Sequence, residues 1–216
     1  MKITDIYGSV NLLNGVKMPY FGLGVFGSEE GTETIQAIHW ALEAGYRHID
    51  TATLYYNEKS VGDAVRTSGV KREEIFITTK VWNPDQGYQN TLDAFSTSMD
   101  KLQMDYLDLY LIHWPVKDKY IDTWEALQEL YERKLIKAIG VSNFLSHHIE
   151  DIIQQKGSIP MVNQIEFHPY LVQPDLLNYC KKHNILVEAW SPILKGGVNE
   201  IPILKQIGEK YGKIPV

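Results

Sequence analysis

The chain has 216 residues, of which 44% are hydrophobic and 22% are charged, a balance typical of a folded globular protein. Its 21 basic and 27 acidic residues give a net charge of −6, which argues against a general nucleic-acid-binding protein, because such proteins carry a basic surface. Cys180 is the single cysteine, which excludes an intrachain disulfide and a cysteine-based zinc site and favours a reducing, cytoplasmic location.

The N-terminal region predicts a hairpin and carries no targeting or membrane signal. Met1 to Val10 lacks an apolar signal core, and no run in the sequence approaches the about 18 apolar residues of a membrane span. Between Val10 and Met18, Asn14-Gly15 separates two short apolar stretches, a pattern typical of a tight hairpin turn. We therefore expect an N-terminal hairpin on a protein that does not associate with membranes.

From Tyr20 onward, strand-like and helix-like segments alternate. The strands are short, β-branched and nearly continuously apolar, and the helices carry apolar residues three and four positions apart. No Pro/Gly/Ser-rich linker or charge block divides them, so residues 1–216 are expected to form one domain. The seven predicted strand and helix pairs are Tyr20–Gly24 with Thr32–Ala44, Arg47–Asp50 with Asn57–Ser68, Glu74–Lys80 with Gln89–Leu102, Leu107–His113 with Tyr120–Arg133, Leu135–Val141 with Ser146–Gln155, Met161–Glu166 with Pro174–Lys182, and Ile185–Trp190 with Asn199–Lys210.

Four residues suited to proton transfer lie where apolar strand-like runs stop, namely Asp50, Tyr55, Lys80 and His113. In a barrel of parallel strands, catalytic side chains come from the carboxyl ends of several strands and meet at one mouth. The placement of these four residues therefore favours an α/β fold of the TIM-barrel type, with the candidate site at that mouth.

A doubly wound fold is the alternative, because Gly22 to Gly27 matches the dinucleotide-binding pattern G-x-G-x-x-G and Asp50 follows about 20 residues later. In that fold the helix begins inside the motif, so that its N-terminal amides meet the pyrophosphate. Here Ser28-Glu29-Glu30-Gly31 delays the helix, and two carboxylates would repel phosphate. The barrel is therefore the favoured interpretation.

The chemistry of the four residues suits reduction of a carbonyl group. Tyr55 starts from an ordinary pKa of about 10, so it needs a neighbouring cation such as Lys80 to stabilise its phenolate. A carboxylate such as Asp50 would keep a buried Lys80 charged and fix its direction. His113 could hydrogen-bond a substrate oxygen. Together these groups predict a site that donates a proton to a carbonyl.

Each of these residue types also has an ordinary structural role, as a helix cap, a packed ring, a surface cation or a satisfied core histidine. Their joint placement at successive strand ends is what favours a site. No metal is expected, because the other histidines show no convincing ligand spacing. These histidines are His39, His48, His147, His148, His168 and His183.

Several segments match, in order, the signatures of one known family. Gly45-Tyr46-Arg47-His48-Ile49-Asp50-Thr51-Ala52, with Tyr55 and Asn57-Glu58 beyond it, matches a first signature, and Met99 to Pro115, ending in Leu-Ile-His-Trp-Pro, resembles a second. The further segments are Thr79–Trp82, Gly140–Phe144, Asn163–Glu166 and Ala189–Pro192. Over nearly all of its length the chain resembles the aldo-keto reductases.

The resemblance implies NAD(P)H-dependent reduction of aldehydes or ketones in a (β/α)8 barrel without a metal. It makes Tyr55 the general acid, with Lys80 lowering the pKa of Tyr55 and Asp50 supporting Lys80. His113 would orient the carbonyl oxygen. A preorganised tyrosine and histidine would stabilise the negative charge that develops on that oxygen.

The resemblance also assigns cofactor and substrate contacts. Ser142, Asn143 and Gln164 would bind the nicotinamide carboxamide, and Trp190 would stack on the nicotinamide ring. Aromatic walls predict an apolar or aromatic carbonyl substrate. The other implied cofactor contacts are Gly24, Val25, Asp50, Ser191, Ile193 and Lys195, with the last three along the pyrophosphate channel, and the implied substrate contacts are Phe26, Trp82, His113 and Trp114.

The sequence after the seventh helix departs from the family pattern. The eighth strand and helix of a TIM barrel have no counterpart before Val216, so a C-terminally incomplete barrel with open strand edges is expected. The family's basic loop for the adenosine 2′-phosphate belongs to that part, so NADP(H) is expected from family habit, with NAD(H) possible. A monomer acting on a small carbonyl compound is expected, and the alternative is a truncated or regulatory barrel that binds NADP(H) or a partner without turnover.

Overall fold

An antiparallel hairpin opens the described part of the chain, which comprises residues 7–215 of the computed structural model. Strand β1 (Ser9–Asn11) pairs with β2 (Lys17–Pro19), and Gly15 between them has a φ of 85°. A positive φ is readily adopted by glycine, so the turn lies at the predicted Asn14-Gly15. The predicted hairpin is confirmed. Residues 1–6 and Val216, which the predicted domain includes, lie outside the described residues.

Seven parallel strands follow the hairpin and hydrogen-bond to one another in chain order. This sequential order is that of a barrel, whereas a doubly wound sheet reverses its strand order at a switch point. The predicted TIM-barrel class is confirmed, and the doubly wound alternative is wrong. The strands are β3 (Leu23–Gly24), β4 (His48–Asp50), β5 (Phe76–Val81), β6 (Leu109–Ile112), β7 (Ile139–Ser142), β8 (Val162–Glu166) and β9 (Leu186–Trp190).

A helix follows each of these strands. Apart from the last, each helix begins and ends within one residue of its predicted bounds. None of the helices within residues 7–215 has the length and apolar character that crossing a membrane requires. The helices are α1 (Thr32–Glu43), α2 (Glu58–Thr67), α3 (Tyr88–Leu102), α4 (Tyr120–Glu132), α5 (Ser146–Lys156), α6 (Pro174–Lys182) and α7 (Pro202–Tyr211).

The prediction of a helix over Asn199–Lys210 is wrong at its start. Leu194–Glu200 forms an irregular 3-10 segment, and α7 begins at Pro202. Proline disfavours helical backbone in the residue before it, and Ile201 is accordingly extended, with a ψ of 114°. Proline itself fits the first turn of a helix, because a backbone N–H at that position would have no carbonyl partner within the helix.

The core lies inside the barrel and under the surrounding helices. Strands β4 to β8 are buried along almost their whole length, as expected of parallel strands covered on both faces. Within the described residues, β3 pairs only with β4 and β9 only with β8, and β9 is half-buried to exposed. The barrel is therefore nearly closed, with an open seam between β3 and β9.

Candidate active site

The centre of the candidate site is a fully buried lysine. Lys80, the penultimate residue of β5, places its Nζ 2.6 Å from Asp50 Oδ1 and 2.9 Å from the Thr51 carbonyl oxygen. The same Nζ donates to Tyr55 Oη at 3.3 Å. Because β4 and β5 are hydrogen-bonded neighbours, the sheet itself brings Asp50 beside Lys80. The ammonium group is thus held by an anion and directed at the phenol.

The pKa of Lys80 reflects two opposing effects. Burial, the largest single effect, favours the neutral amine, but the attractions of Asp50, Tyr55 and Glu188 together outweigh it. The pKa of Lys80 is therefore raised above its ordinary value, and the side chain is a cation throughout the neutral range.

Tyr55 ends a short 3-10 helix (Thr53–Tyr55) that leaves the carboxyl end of β4. The Thr53 hydroxyl donates to the Lys80 carbonyl oxygen at 3.0 Å, and Tyr56 adopts a left-handed conformation. Burial raises the pKa of Tyr55, Lys80 lowers it and Asp50 raises it, with a net upward shift. The expected effect of Lys80 has the predicted sign, but burial exceeds it, so the phenol holds its proton firmly at neutral pH.

His113 follows β6 directly and faces the same space. Its ring lies 5.8 Å from the Tyr55 ring and 5.1 Å from the Trp82 ring, measured between centroids. Burial and the nearby Lys80 lower the pKa of His113 to about 3. Its buried Nδ1 has no hydrogen-bond partner among the described residues. The imidazole is therefore neutral and carries one N–H for a ligand oxygen.

The three residues expected at the carboxamide already make internal hydrogen bonds. The Ser142 hydroxyl donates to the Gln164 carbonyl oxygen at 3.0 Å. Asn143 Nδ2 donates to the His113 carbonyl oxygen and to Ser142 Oγ, both at 3.0 Å. Gln164 Nε2 donates to Asp50 Oδ2 at 2.9 Å. These side chains therefore brace the site from β7 and β8.

The side chains expected at the cofactor lie around the seam between β3 and β9. Trp190, at the end of β9, donates its indole N–H to Asn143 Oδ1 at 2.9 Å. The loop after it has left-handed residues at Ser191 and Lys195, and Ile193 is exposed within it. Across the seam, Gly24 is exposed and ends β3, while Val25 is buried and its N–H donates to the Asp50 carbonyl oxygen. The residues of both sides thus reach the mouth.

Two of the three aromatic residues expected around the substrate border the proton-donating group. The Phe26 ring lies 5.0 Å from the Tyr55 ring, and Trp82 contacts His113. Lys195 Nζ lies 5.7 Å from the centre of the Phe26 ring, so this pair spans the seam. Trp114 is 43% exposed and makes no ring contact with the group within the described residues. The mouth is therefore open and aromatic on the side of Phe26 and Trp82.

Glu188 and His48 join the group of side chains that surrounds Asp50 and Gln164, although no sequence pattern had indicated this role for either residue. Gln164 Nε2 donates to Glu188 Oε2 at 2.9 Å, and Glu188 Oε1 lies 3.9 Å from His48 Nδ1. Burial and Asp50 raise the pKa of Glu188 to about 8. A carboxylate in the middle of the strand Leu186–Trp190 was the signal that could have found it.

Asp50, His48 and Glu188 also offer ligand atoms within 4.8 Å of one another, a spacing that could hold a metal ion. Both Asp50 oxygens are already bonded, to the Lys80 ammonium and to the Gln164 amide. His48 Nε2 is bonded to Thr78 Oγ1 at 2.9 Å. A cation here would also meet the Lys80 charge, so the cluster functions as a hydrogen-bond network.

The buried His48 should make the fold sensitive to acid. Burial, the largest effect, lowers the pKa of His48 from 6.5 to about 4, so between these values the unfolded chain binds a proton that the folded chain does not. The contribution of the neutral His48 to the free energy of unfolding is therefore complete above pH 6.5, and it is lost as the pH falls towards 4. Between pH 6.5 and 4.5, we expect the free energy of unfolding to fall by about 2 kcal/mol more in the wild type than in His48→Gln.

Urea unfolding at the two pH values measures this difference. The matched control is His147→Gln, since His147 is exposed on α5. Equal pH dependence in the wild type and His48→Gln would show that His48 is not a buried neutral imidazole.

A parallel barrel with hydrogen-bonded Asp50, Lys80 and Tyr55 at its mouth has the features of an oxidoreductase of the TIM-barrel class. The Aldo/keto reductase family model matches residues 20–201, and the chain belongs to that family. The resemblance inferred from the signatures is confirmed, and the protein is an enzyme of the aldo-keto reductase type.

The chain is similar to the glyoxal reductase of Bacillus subtilis (strain 168), with 55% identity over 210 residues that cover 97% of this chain and 76% of the relative. Among solved structures, an aldo/keto reductase from Brucella melitensis has 48% identity and a TM-score of 0.92, covering 97% of this chain and 81% of that one. A variant of Gox0644 in complex with NADPH has 42% identity and a TM-score of 0.92, and the match covers 98% of this chain and 77% of that one.

Proposed function

We propose that the protein reduces small aldehydes or ketones to alcohols with NADPH, and that Tyr55 is the general acid. The observation that carries the proposal is the Lys80 ammonium group, which touches both Asp50 and the Tyr55 hydroxyl inside a parallel barrel. The names of the glyoxal reductase and of the NADPH complex among the relatives support the substrate and the cofactor.

The residues at the mouth suit the proton half of this reaction. The chemistry that NADPH supplies when bound is transfer of a hydride to the carbonyl carbon. As negative charge develops on the carbonyl oxygen, the neutral His113 donates a hydrogen bond to it and the Tyr55 hydroxyl delivers a proton. Lys80 stabilises the phenolate that remains, because its charge lies 3.3 Å from the phenol oxygen. The product is an alcohol.

The residues around the seam fit a dinucleotide. Trp190 offers a ring face for the nicotinamide, and its indole N–H is tied to Asn143. The left-handed turns after β9 bring Ser191, Ile193 and the Lys195 ammonium group to the same edge, where the pyrophosphate would find a positive charge and backbone donors. Gly24 and Val25 face them across the seam. Ser142 and Asn143 would exchange part of their internal hydrogen bonds for the carboxamide, and Gln164 would accept from it through its side-chain oxygen while its amide nitrogen stays bonded to Asp50 and Glu188.

The proposal extends to cofactor choice, substrate and organisation. NADP(H) is preferred over NAD(H), and residues 1–216 act as one domain in a monomer. The substrate is a small aldehyde or ketone, and an apolar or aromatic one suits the site, because among the described residues the rings of Phe26 and Trp82 border Tyr55 and His113. Trp114 would line the outer part of this pocket.

The test is oxidation of NADPH, followed by its absorbance, with glyoxal and with an aromatic aldehyde such as benzaldehyde. We expect turnover with both, and less with NADH. NADPH fluorescence titration runs in parallel. Tight binding of NADPH without oxidation by any carbonyl compound would favour the alternative, a barrel that binds cofactor without turnover. If the protein neither binds NADPH nor oxidises it, both candidate functions are contradicted.

A further inference from the structure

Glu188 is a half-buried acid on the inner side of the barrel, and the proposed reaction assigns it no task. It lies in β9, and the sheet register makes it the direct neighbour of Gln164 in β8. Its side chain is 17% exposed, and Oε2 accepts a hydrogen bond from Gln164 Nε2 at 2.9 Å. The backbone of two paired strands therefore brings this carboxyl group and this amide together.

Two further hydrogen bonds connect Gln164 to the proposed catalytic lysine. Gln164 Nε2 also donates to Asp50 Oδ2 at 2.9 Å. The other oxygen of Asp50, Oδ1, accepts from Lys80 Nζ at 2.6 Å. An unbroken line of hydrogen bonds thus runs from Glu188 through Gln164 and Asp50 to Lys80, and from there to the Tyr55 hydroxyl.

This series of hydrogen bonds fixes the orientation of each side chain in it. A side-chain amide nitrogen has two hydrogens, and in Gln164 both are engaged, one by each carboxyl group. This fixes the orientation of the amide and holds Asp50 Oδ2, so that Oδ1 remains directed at Lys80. Without Glu188, one of the two hydrogens would have no carboxyl partner, and Gln164 could rotate away from Asp50.

We propose that Glu188 is a positioning residue which, through Gln164 and Asp50, holds the Lys80 ammonium group in line with Tyr55. The inference rests on the proposed function for its effect on turnover, but the geometry it describes can be measured without any substrate.

The charges around Glu188 support this role. The titratable groups that face it are His48 and Asp50 from β4, Lys80 from β5, and Tyr55 beyond Lys80. Burial and Asp50 raise the pKa of Glu188, so its neutral acid form persists around neutral pH and leaves Asp50 as the anion that pairs with Lys80. Ionisation of Glu188 at alkaline pH raises the pKa values of both Lys80 and Tyr55.

The experiment compares the wild type with Glu188→Ala, Glu188→Gln and the control Val187→Ala. Val187 is the neighbouring residue in β9, and its side chain points to the opposite face of the strand from Glu188. The first readout is the nitrogen chemical shift of the Lys80 ammonium group in protein labelled with 15N-lysine, identified by its loss in Lys80→Met. The second is kcat and KM with glyoxal and NADPH over a range of pH. Thermal unfolding checks the fold of every variant.

We expect Glu188→Ala to displace the Lys80 signal and to lower kcat about fivefold with little change in the KM for glyoxal, the scale of one lost hydrogen bond. Glu188→Gln can still accept from Gln164, so it should restore the wild-type signal and kcat at pH 7. Its Lys80 signal should also stay constant between pH 7 and 9, whereas that of the wild type shifts as Glu188 ionises. Val187→Ala should leave the Lys80 signal and the pH profile unchanged.

An unchanged Lys80 signal in a folded Glu188→Ala would overturn the proposal. If Glu188→Ala does not fold, an unchanged Lys80 signal in a folded Glu188→Leu, which fills the space but cannot accept from Gln164, would overturn it. A wild type that oxidises no NADPH would refute the proposed function alone, because the Lys80 signals still decide whether Glu188 positions that residue.

Discussion

Tyr55→Phe is expected to lower kcat for aldehyde reduction by a factor of about a hundred or more, the scale of a lost general acid. The substitution removes the hydroxyl group to which Lys80 donates at 3.3 Å and keeps the ring that packs against Phe26 and His113. The pocket and the cofactor contacts should therefore persist. Steady-state rates of NADPH oxidation with glyoxal measure the loss, and fluorescence titration should show nearly unchanged NADPH affinity.

The chain offers a matched control for this variant. Tyr56 is the next residue, is 72% exposed and makes no ring contact with the site within the described residues. Tyr56→Phe removes the same atom one position away and should leave kcat unchanged. Substantial turnover in Tyr55→Phe, or an equal loss in Tyr56→Phe, would refute the assignment of Tyr55 as the proton donor.

Lys80→Met is expected to abolish most of the activity at neutral pH. Lys80 lowers the pKa of Tyr55 against the larger opposing effect of burial, and Asp50 acts to raise it. Removing the ammonium group therefore leaves a weaker acid at Tyr55. In the pH profile of the residual kcat, the fall in rate caused by loss of the tyrosine proton should occur at a higher pH in Lys80→Met than in the wild type. A pH profile of kcat with the same alkaline limb as the wild type would contradict the pairing of Lys80 with Tyr55.

The same substitution should also destabilise the fold, because it leaves the buried Asp50 without its ion-pair partner, a loss of about 3 to 5 kcal/mol. The double variant Asp50→Asn/Lys80→Met removes both charges and separates the two effects. It should recover much of the stability in urea unfolding while remaining inactive. Lys59→Met, on the exposed face of α2, is the control for loss of a lysine away from the site. Activity that returns together with stability would mean that Lys80 acts on the fold alone.

The sequence was sufficient for the barrel and for the residues suited to its chemistry. Short apolar strands, amphipathic helices and the turn at Asn14-Gly15 are local signals, so hairpin, strand order and six of the seven helices agree with the structure. The predicted start of the last helix was wrong because Pro202 keeps Ile201 extended, so the helix cannot include the apolar pattern before it. Asp50, Tyr55, Lys80 and His113 could be proposed because parallel strands bring their carboxyl ends to one mouth.

Tertiary structure alone decided how those groups interact. The pKa of Tyr55 depends on the balance between burial and the Lys80 charge, and no spacing in the sequence measures burial. Gln164 and Glu188 lie far along the chain from Asp50, and their contacts come from the register of β8 with β9 and from the curvature that brings these strands near β4. The sequence by itself determined which chemical groups the barrel carries. Their distances, protonation and partners follow from the curvature of the sheet, which brings together residues that no local pattern connects.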